Sequence, residues 1–371
     1  MAQPERLFEL GLGPFCRGCP WQQTCGAAET AHACRGWGPQ APGGVEVLHP
    51  GLPITASYMA EIGGPGFDDI AAAAVPARNL PAYLPRIRYR RGLRGQLTEP
   101  IYSISIEDAL TRRGIRSVDE IRDFVGLDEH QGLVLLMFGR DRVLERVWSE
   151  RDTLPGEIAQ AGYLDVVAPS YSTWSPRPRT EFLYMAKRSL VMFALLQNAG
   201  ARAIPRLAWE IPHDVKRWAR WLQSNPSVEQ VALDLATYRK KSDFSAQLKG
   251  LALLDELTER RLSYVINGVS TYPRIMQLYD AVSPRRVSLT NARAIARPAE
   301  GQERTFSEKC ATERQLIGRA RASTSGSTLQ AERRATVQTM PKSHVPMTTG
   351  GIPLAPLRRL ASPTKSSRPQ A

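Results

Sequence analysis

Five cysteines occur in 371 residues, and four of them stand close together as Cys16, Cys19, Cys25 and Cys34. The C-x₂-C step lets two thiolates face one ion across a tight turn, and the later pair completes a tetrahedron. Zinc and an iron–sulfur cluster of the [4Fe–4S] type both accept four cysteine thiolates. Pro20, directly behind a ligand, leans towards the cluster; replacement of one thiolate by His32 would favour zinc. A leader this short and this poor in apolar residues needs a metal to fold, and four cysteines leave no open coordination position. The expected role is therefore structural. Cys310 stands far from the others and reads as incidental.

The other residues fit for chemistry are polar groups that follow short apolar runs. Asp234 ends Val231-Ala-Leu233, Arg140 and Asp141 follow Leu133–Phe138, and Ser170 and Tyr171 follow Leu164–Ala168. Glu210 follows Ala203–Trp209, Asn267 follows Tyr264–Ile266, Asn291 follows Val287–Leu289, and Glu107 follows Ile101–Ile106. Carboxylates divide acid and base work when their surroundings push their pKa values apart, which makes Asp234 with Asp141 or Glu210 the candidate catalytic set. Arg140, Ser170, Asn267 and Asn291 are the candidate substrate-binding residues, with the Asn267-Gly-Val-Ser270 loop offering backbone N–H groups to a phosphate. The competing reading is that such residues cap helices and hold loops. No H-x-x-x-H or H-E-x-x-H pair occurs among the five histidines, which excludes a zincin site.

These residues need a scaffold that brings strand ends together. The apolar runs alternate with amphipathic segments at Arg142–Ser149, Thr180–Asn198, Asp214–Ser224, Ser245–Arg260 and Pro273–Val282, the pattern of a parallel α/β fold. Ser117-Val-Asp-Glu120 has the form of a capping box, and Ile54–Ile62 reads as a further strand. Seven or eight βα units over Ile54–Arg297 predict a (β/α)₈-type (TIM-like) barrel, whose usual length is about 250 residues. No Gly-x-Gly-x-x-Gly follows an expected strand, against a dinucleotide-binding sheet. Trp218 and Trp221, three apart with Arg217 and Arg220 interleaved, could form a stacking surface, but tryptophans at helical spacing more often face a core.

Composition divides the chain into a Cys-rich metal-binding module (1–44), the barrel (45–297) and a basic tail (298–371) expected to be disordered. The net charge is +13, of which the tail carries +7 (9 Arg and 3 Lys against 5 Glu). DNA or RNA is therefore a candidate partner, reached through the tail. A short helix at Thr312–Arg321 is the one regular element the tail suggests. No secretory leader and no apolar run of membrane-spanning length is evident, so a cytoplasmic protein without a membrane partner is expected.

Phe138-Gly-Arg-Asp141 with Leu144-Glu-Arg-Val-Trp148, Asp165-Val-Val-Ala-Pro169 with Ser170-Tyr-Ser172, and Gly200-Ala-Arg-Ala-Ile-Pro205 with Trp209 resemble a bacterial and phage family known as a domain of unknown function. That resemblance implies a barrel-like fold and an association with phages, plasmids and other mobile elements. Acidic residues stand in the family where this chain has Arg140 and Ser170. Asn267-Gly-Val-Ser-Thr271 and Leu289-Thr-Asn-Ala-Arg293 are similar to late loops of the tRNA-guanine transglycosylases, which implies a base-exchanging barrel with Asp234 as the counterpart of a catalytic aspartate. In those enzymes the zinc ligands follow the barrel, whereas here the cysteines precede it. Two functions are expected from all this: an enzyme acting on a nucleotide or nucleic acid, or a non-catalytic nucleic-acid-binding protein with a structural metal site.

Overall fold

The computed structural model describes residues 56–91, 93–172, 179–291 and 305–325. Cys16, Cys19, Cys25 and Cys34, with the whole of the expected 1–44 module, lie outside these, as does the tail beyond 325.

In chain order the elements are α1 (Ala56–Glu61), β1 (Tyr83–Ile87), β2 (Ile101–Ser105), α2 (Ile106–Ala109), the hairpin β3 (Leu110–Thr111) and β4 (Gly114–Ile115), and α3 (Val118–Val125). Next come β5 (Gly132–Leu136), α4 (Asp141–Ser149), α5 (Leu154–Gln160), β6 (Asp165–Val167), α6 (Arg179–Asn198), β7 (Ala203–Ile204) and α7 (Pro212–Ser224). The chain continues through β8 (Gln230–Asp234), α8 (Lys241–Thr258), β9 (Ser263–Asn267), α9 (Tyr272–Ala281), β10 (Val287–Asn291) and α10 (Phe306–Ser325).

Eight strands form one parallel sheet in the order β7-β6-β5-β2-β1-β10-β9-β8. The edges meet through a parallel bridge between Arg206 and Ala232, with Leu207 N donating to Ala232 O and Ala232 N to Pro205 O, both at 2.9 Å. The sheet thereby closes on itself as a (β/α)₈ barrel, which removes the unpaired edges that a parallel sheet would otherwise expose.

Alternation along each strand separates two apolar cores. Leu84, Val134, Leu136, Phe138, Val167, Ile204, Ala232 and Val265 fill the inside of the ring. Their neighbours along the strands, such as Leu133, Leu135, Val166, Leu233 and Ile266, pack outward against the helices in a larger cluster. Trp218 and Trp221 belong to that outer core, and their indole N–H groups donate to Ala208 O and Ile70 O, both at 2.7 Å. Arg217 is buried beside them on Asp214, and Arg220 alone of the interleaved arginines is exposed.

Two expectations are corrected and one strand is added. Ile54–Ile62 does not form a strand: Ala56–Glu61 is helical, as its Ala, Met and Glu residues favour. The helix stops at Gly63 and Gly64, both at positive φ, where Gly64 N donates to Met59 O at 2.8 Å. Tyr83–Ile87 is a barrel strand despite Pro85; that proline is the last residue in register with β10 and Arg86 the first in register with β2. The 298–371 stretch is not wholly irregular, because 306–325 is helical. Phe306, Cys310, Ile317 and Ala320 recur at helical spacing and are all buried, a stripe that the tail's overall polarity conceals. Arg321 Nη2 ties α10 to Val287 O at 2.7 Å, and Arg314 pairs with Glu99 at 3.1 Å.

The capping box is half realised. Ser117 Oγ accepts from Glu120 N at 3.1 Å, but the Glu120 carboxylate turns outward to Arg116 and Tyr89. Among the described residues no helix is long and apolar enough to cross a membrane.

Burial pushes the Cys310 thiol up to about 12. At pH 8.5 fewer than about one in a thousand of these groups is thiolate, the reactive form. Peptide mapping after brief iodoacetamide treatment should find Cys310 unmodified in native protein and alkylated after denaturation. Native alkylation at the rate of an exposed thiol would show that α10 is not docked.

Candidate active site

Parallel barrels carry their chemistry where strands end, and here that end of the interior is polar on one side. The inward positions of β8, β9, β10, β1 and β2 are Asp234, Asn267, Thr290, Arg86, Ser103 and Ser105, set by the same register that turns Leu84, Ala232 and Val265 inward. Two hydrogen bonds skip a strand and so run through the interior. Ser103 Oγ and Thr290 Oγ1 lie 2.9 Å apart across β1, and Arg86 Nη2 donates to Asn267 Oδ1 at 2.6 Å across β10.

Asp234 is the hub. Its Oδ1 accepts from Asn267 Nδ2 at 2.8 Å and from Ala236 N at 3.2 Å, and its Oδ2 accepts from Ser170 Oγ at 3.3 Å. The Asn267 amide thus lies between a guanidinium on one side and a carboxylate on the other. Gly268 follows at φ 90°, where a Cβ would come within 2.3 Å of the Ala236 backbone, so glycine is needed for β9 to leave the ring beside Asp234.

Two arginines flank this hub. Desolvation pushes the Arg86 guanidinium below its usual value, opposed by the charges of Asp234, Asp108 and Glu107. Arg206, buried at the bridge that closes the barrel, is lowered by the same cause, with Tyr238 and Asp234 opposing. Arg86 Nε is buried and has no hydrogen-bond partner among the described residues. Asp108, at the rim beside Arg86, is raised by desolvation, an effect that a hydrogen bond from the Tyr89 backbone N–H partly offsets.

The expected residues divide accordingly. Asp234, Asn267 and Ser170 come together inside the mouth. Asp141 and Arg140 stand on the rim: Ser172 Oγ donates to Asp141 Oδ1, and Glu107 Oε1 accepts from Arg140 N at 2.6 Å and Arg140 Nε at 2.9 Å. Glu107 therefore serves as the tether of Arg140, while Glu145 binds Arg188 in a two-pronged pair at 2.8 and 2.9 Å. Glu210 precedes α7, where its backbone N–H and that of Ile211 donate to Asp214 Oδ2. Asn291 is not brought to the mouth. It stands in register with Pro85 on the outward side of β10, and its Nδ2 reaches Val269 O and Glu313 Oε2 at 3.5 Å. The Gly268 N–H donates to Thr290 O at 3.0 Å and is committed to the barrel rather than to a phosphate.

Sequence reasoning missed both flanking arginines. Arg206 lay in plain view inside Ala203–Trp209, where a charge in the middle of a buried strand was the available signal. Arg86 was hidden with its strand. Among the described residues no cluster of three or more His, Cys, Asp or Glu side chains is placed to hold a metal ion.

No protein-family model matches the chain, and no curated protein matches it. Among solved structures it is similar to one described as native KDPGal, at 11% identity over 67% of this chain and 98% of that one, with a TM-score of 0.37. It is also similar to the BexX/CysO complex of Amycolatopsis orientalis (16% identity, 73% and 98% covered, TM-score 0.42). A third is the carboxyl transferase domain of Rhizobium etli pyruvate carboxylase (12% identity, 55% and 36% covered, TM-score 0.30). At identities and scores this low they carry no argument, and the architecture rests on the strand register above.

Proposed function

We propose that this barrel is an enzyme acting on the glycosidic bond of a nucleotide, with Asp234 as its catalytic carboxylate and Arg86 and Arg206 as the groups that draw the phosphate into the mouth. The observation that carries the reading is the line Arg86–Asn267–Asp234, in which a desolvated cation and a carboxylate flank one neutral amide inside the ring. Arg86 Nε supplies a donor free for an anionic oxygen. Asp234 accepts from three donors, Asn267 Nδ2, Ala236 N and Ser170 Oγ, which fix its carboxylate group at the mouth.

Its chemistry would be to stand against the positive charge that builds on the sugar as the bond from C1′ to the base breaks. The base leaves with the bonding pair. Water then adds its hydroxyl to C1′ and its proton passes to the base; in an exchange reaction an incoming base takes the place of water. Ser170 steadies the carboxylate, and Asp141 at the rim and Glu210 before α7 are the candidates for proton traffic to the leaving base. The likeness of 267–271 and 289–293 to base-exchanging barrels supports this class, and the likeness of 138–209 to phage and plasmid proteins supports a mobile-element setting. Scarce, clustered cysteines support a reducing, cytoplasmic one.

Release of free base from a panel of nucleosides and nucleotides, followed by chromatography, tests the assignment. Asp234→Asn should lower kcat at least about 100-fold with the melting temperature little changed. Arg86→Gln should raise KM for nucleotides and not for nucleosides. Full activity of the Asp234→Asn protein would remove Asp234 from the mechanism.

We further propose that Cys16, Cys19, Cys25 and Cys34 hold one structural centre, zinc or [4Fe–4S], which ties down the leader and takes no part in the steps above. Their spacing supports it. Protein purified without oxygen should contain either one zinc and no colour, or iron and sulfide with absorption near ~400 nm. A Cys16→Ser, Cys19→Ser protein should lose that content; unchanged metal would place it elsewhere.

A further inference from the structure

The outer wall of the barrel differs from the usual pattern after its first strand, where a helix is expected. The described residues between β1 and β2 form none and instead pass alongside α3. There they build a stack of four planar groups. The Arg116 guanidinium lies 3.7 Å from the centre of the Tyr89 ring, and Tyr89 and Phe124 stack at 4.2 Å with 11° between their planes. The Arg91 guanidinium stands off the outer face of Phe124 at 5.2 Å. Glu120 locks the inner end by accepting from Tyr89 Oη at 3.2 Å and Arg116 Nη1 at 2.5 Å. The outer end is the loose one.

Beside this stack is a cleft of about 530 Å³, bordered by Arg91, Arg94, Asp123, Phe124 and Gly126 among others. That volume lies within the ~300–1,000 Å³ usual for small-ligand sites. At Gly126, φ is 91° and a Cβ would meet the Arg94 backbone at 2.9 Å, so glycine lets this loop close against the end of α3. Arg88, Arg90, Arg91 and Arg94, with Arg112 and Arg113 of the neighbouring hairpin turn, are exposed. The nearby acids Asp119 and Glu120 pair with Arg122 and Arg116, which leaves Asp123 at the cleft and Asp108 near Arg88 against these six exposed arginines. The wall is therefore electropositive and offers a rigid aromatic face. It is also continuous with the mouth, because only Ile87 and Arg88 stand between Arg86 and Tyr89, a span of about 10 Å of extended chain.

We infer that this wall is a docking surface for single-stranded nucleic acid. A base stacks on the outer face of Phe124, Arg91 swings from that face to a phosphate, and the strand continues past Arg88 towards Arg86. Stacking requires a base whose face is free, which a duplex does not offer, and an acidic peptide would match the charge but not the ring. The inference rests on the proposed function only in taking the nucleotide at Asp234 to be part of a longer strand.

The test uses the full chain and a fluorescein-labelled twelve-residue oligothymidylate, read by anisotropy. With four phosphate contacts at about 0.7 per contact, affinity should fall roughly 50-fold between 50 and 200 mM salt. Phe124→Leu should weaken binding about 10-fold while leaving base release from a mononucleotide unchanged. Arg91→Gln with Arg94→Gln, both at exposed positions, should weaken it too and flatten the salt slope by about 1.4. Photocrosslinking with bromouracil in the strand should mark Tyr89 or Phe124. Absence of binding, binding indifferent to both sets of substitutions, adducts confined to 1–44 or 326–371, or equal competition by polyglutamate would each overturn the inference. Asp234→Asn separates the two proposals: lost turnover with the oligonucleotide still bound supports both. A bound oligonucleotide with no turnover in the unaltered protein sinks the enzyme alone.

Discussion

Two guanidinium groups are held inside the barrel, and their desolvation governs what surrounds them. Removing an ion from water costs several kcal/mol even after the protein relaxes, and a barrel interior has little with which to offset it. Arg86 and Arg206 are both pushed below their usual values by burial. What offsets the cost is Asp234 between them and Asn267, whose amide oxygen serves Arg86 while its nitrogen serves Asp234. The deeper layer shows the cheaper solution: Leu84, Val134, Ala232 and Val265 fill the same ring with hydrocarbon. The change from apolar to charged happens only at the strand ends, where a (β/α)₈ barrel carries its chemistry.

The outside of the barrel answers to a different constraint. Each strand needs its outer face covered, and α10 supplies cover with Phe306, Cys310, Ile317 and Ala320 although it lies in a stretch of mostly polar residues. After β1 no helix does so among the described residues; Tyr102 is buried all the same, with the Phe306 ring 6.3 Å away. Leu93 and Leu97 of the same connection are buried too, while Arg88, Arg90, Arg91 and Arg94 remain exposed. The omission of one helix is what makes room for the stack and the cleft.

Most of the architecture was legible in the sequence, and the exceptions have physical causes. Runs such as Leu133–Phe138 and Val228–Leu233 declare themselves because strands buried on both faces need apolar residues at every position. Tyr83–Ile87 does not, since Pro85 and Arg86 interrupt the run that would announce it. Asp234 was legible as a carboxylate closing such a run, and Asn267 and Ser170 by the same logic. Arg86 was not, because its role depends on facing Asn267 across an intervening strand, and pairing of that kind leaves no trace in local pattern. Asn291 shows the converse: one step of register turns it from the mouth to the helix layer, while Thr290 beside it faces in.

In the proposed reaction the mouth reads an anion through Arg86 while Asp234 meets the atoms beside it. A crystal structure of the full chain with a nucleoside 5′-monophosphate is the decisive measurement. Phosphate oxygens should lie within hydrogen-bond distance of Arg86 Nε and the sugar against the Asp234 carboxylate, with the Asn267 bridge between them intact. A nucleotide bound elsewhere, with Arg86 and Asp234 unchanged and solvated, would remove both residues from substrate recognition.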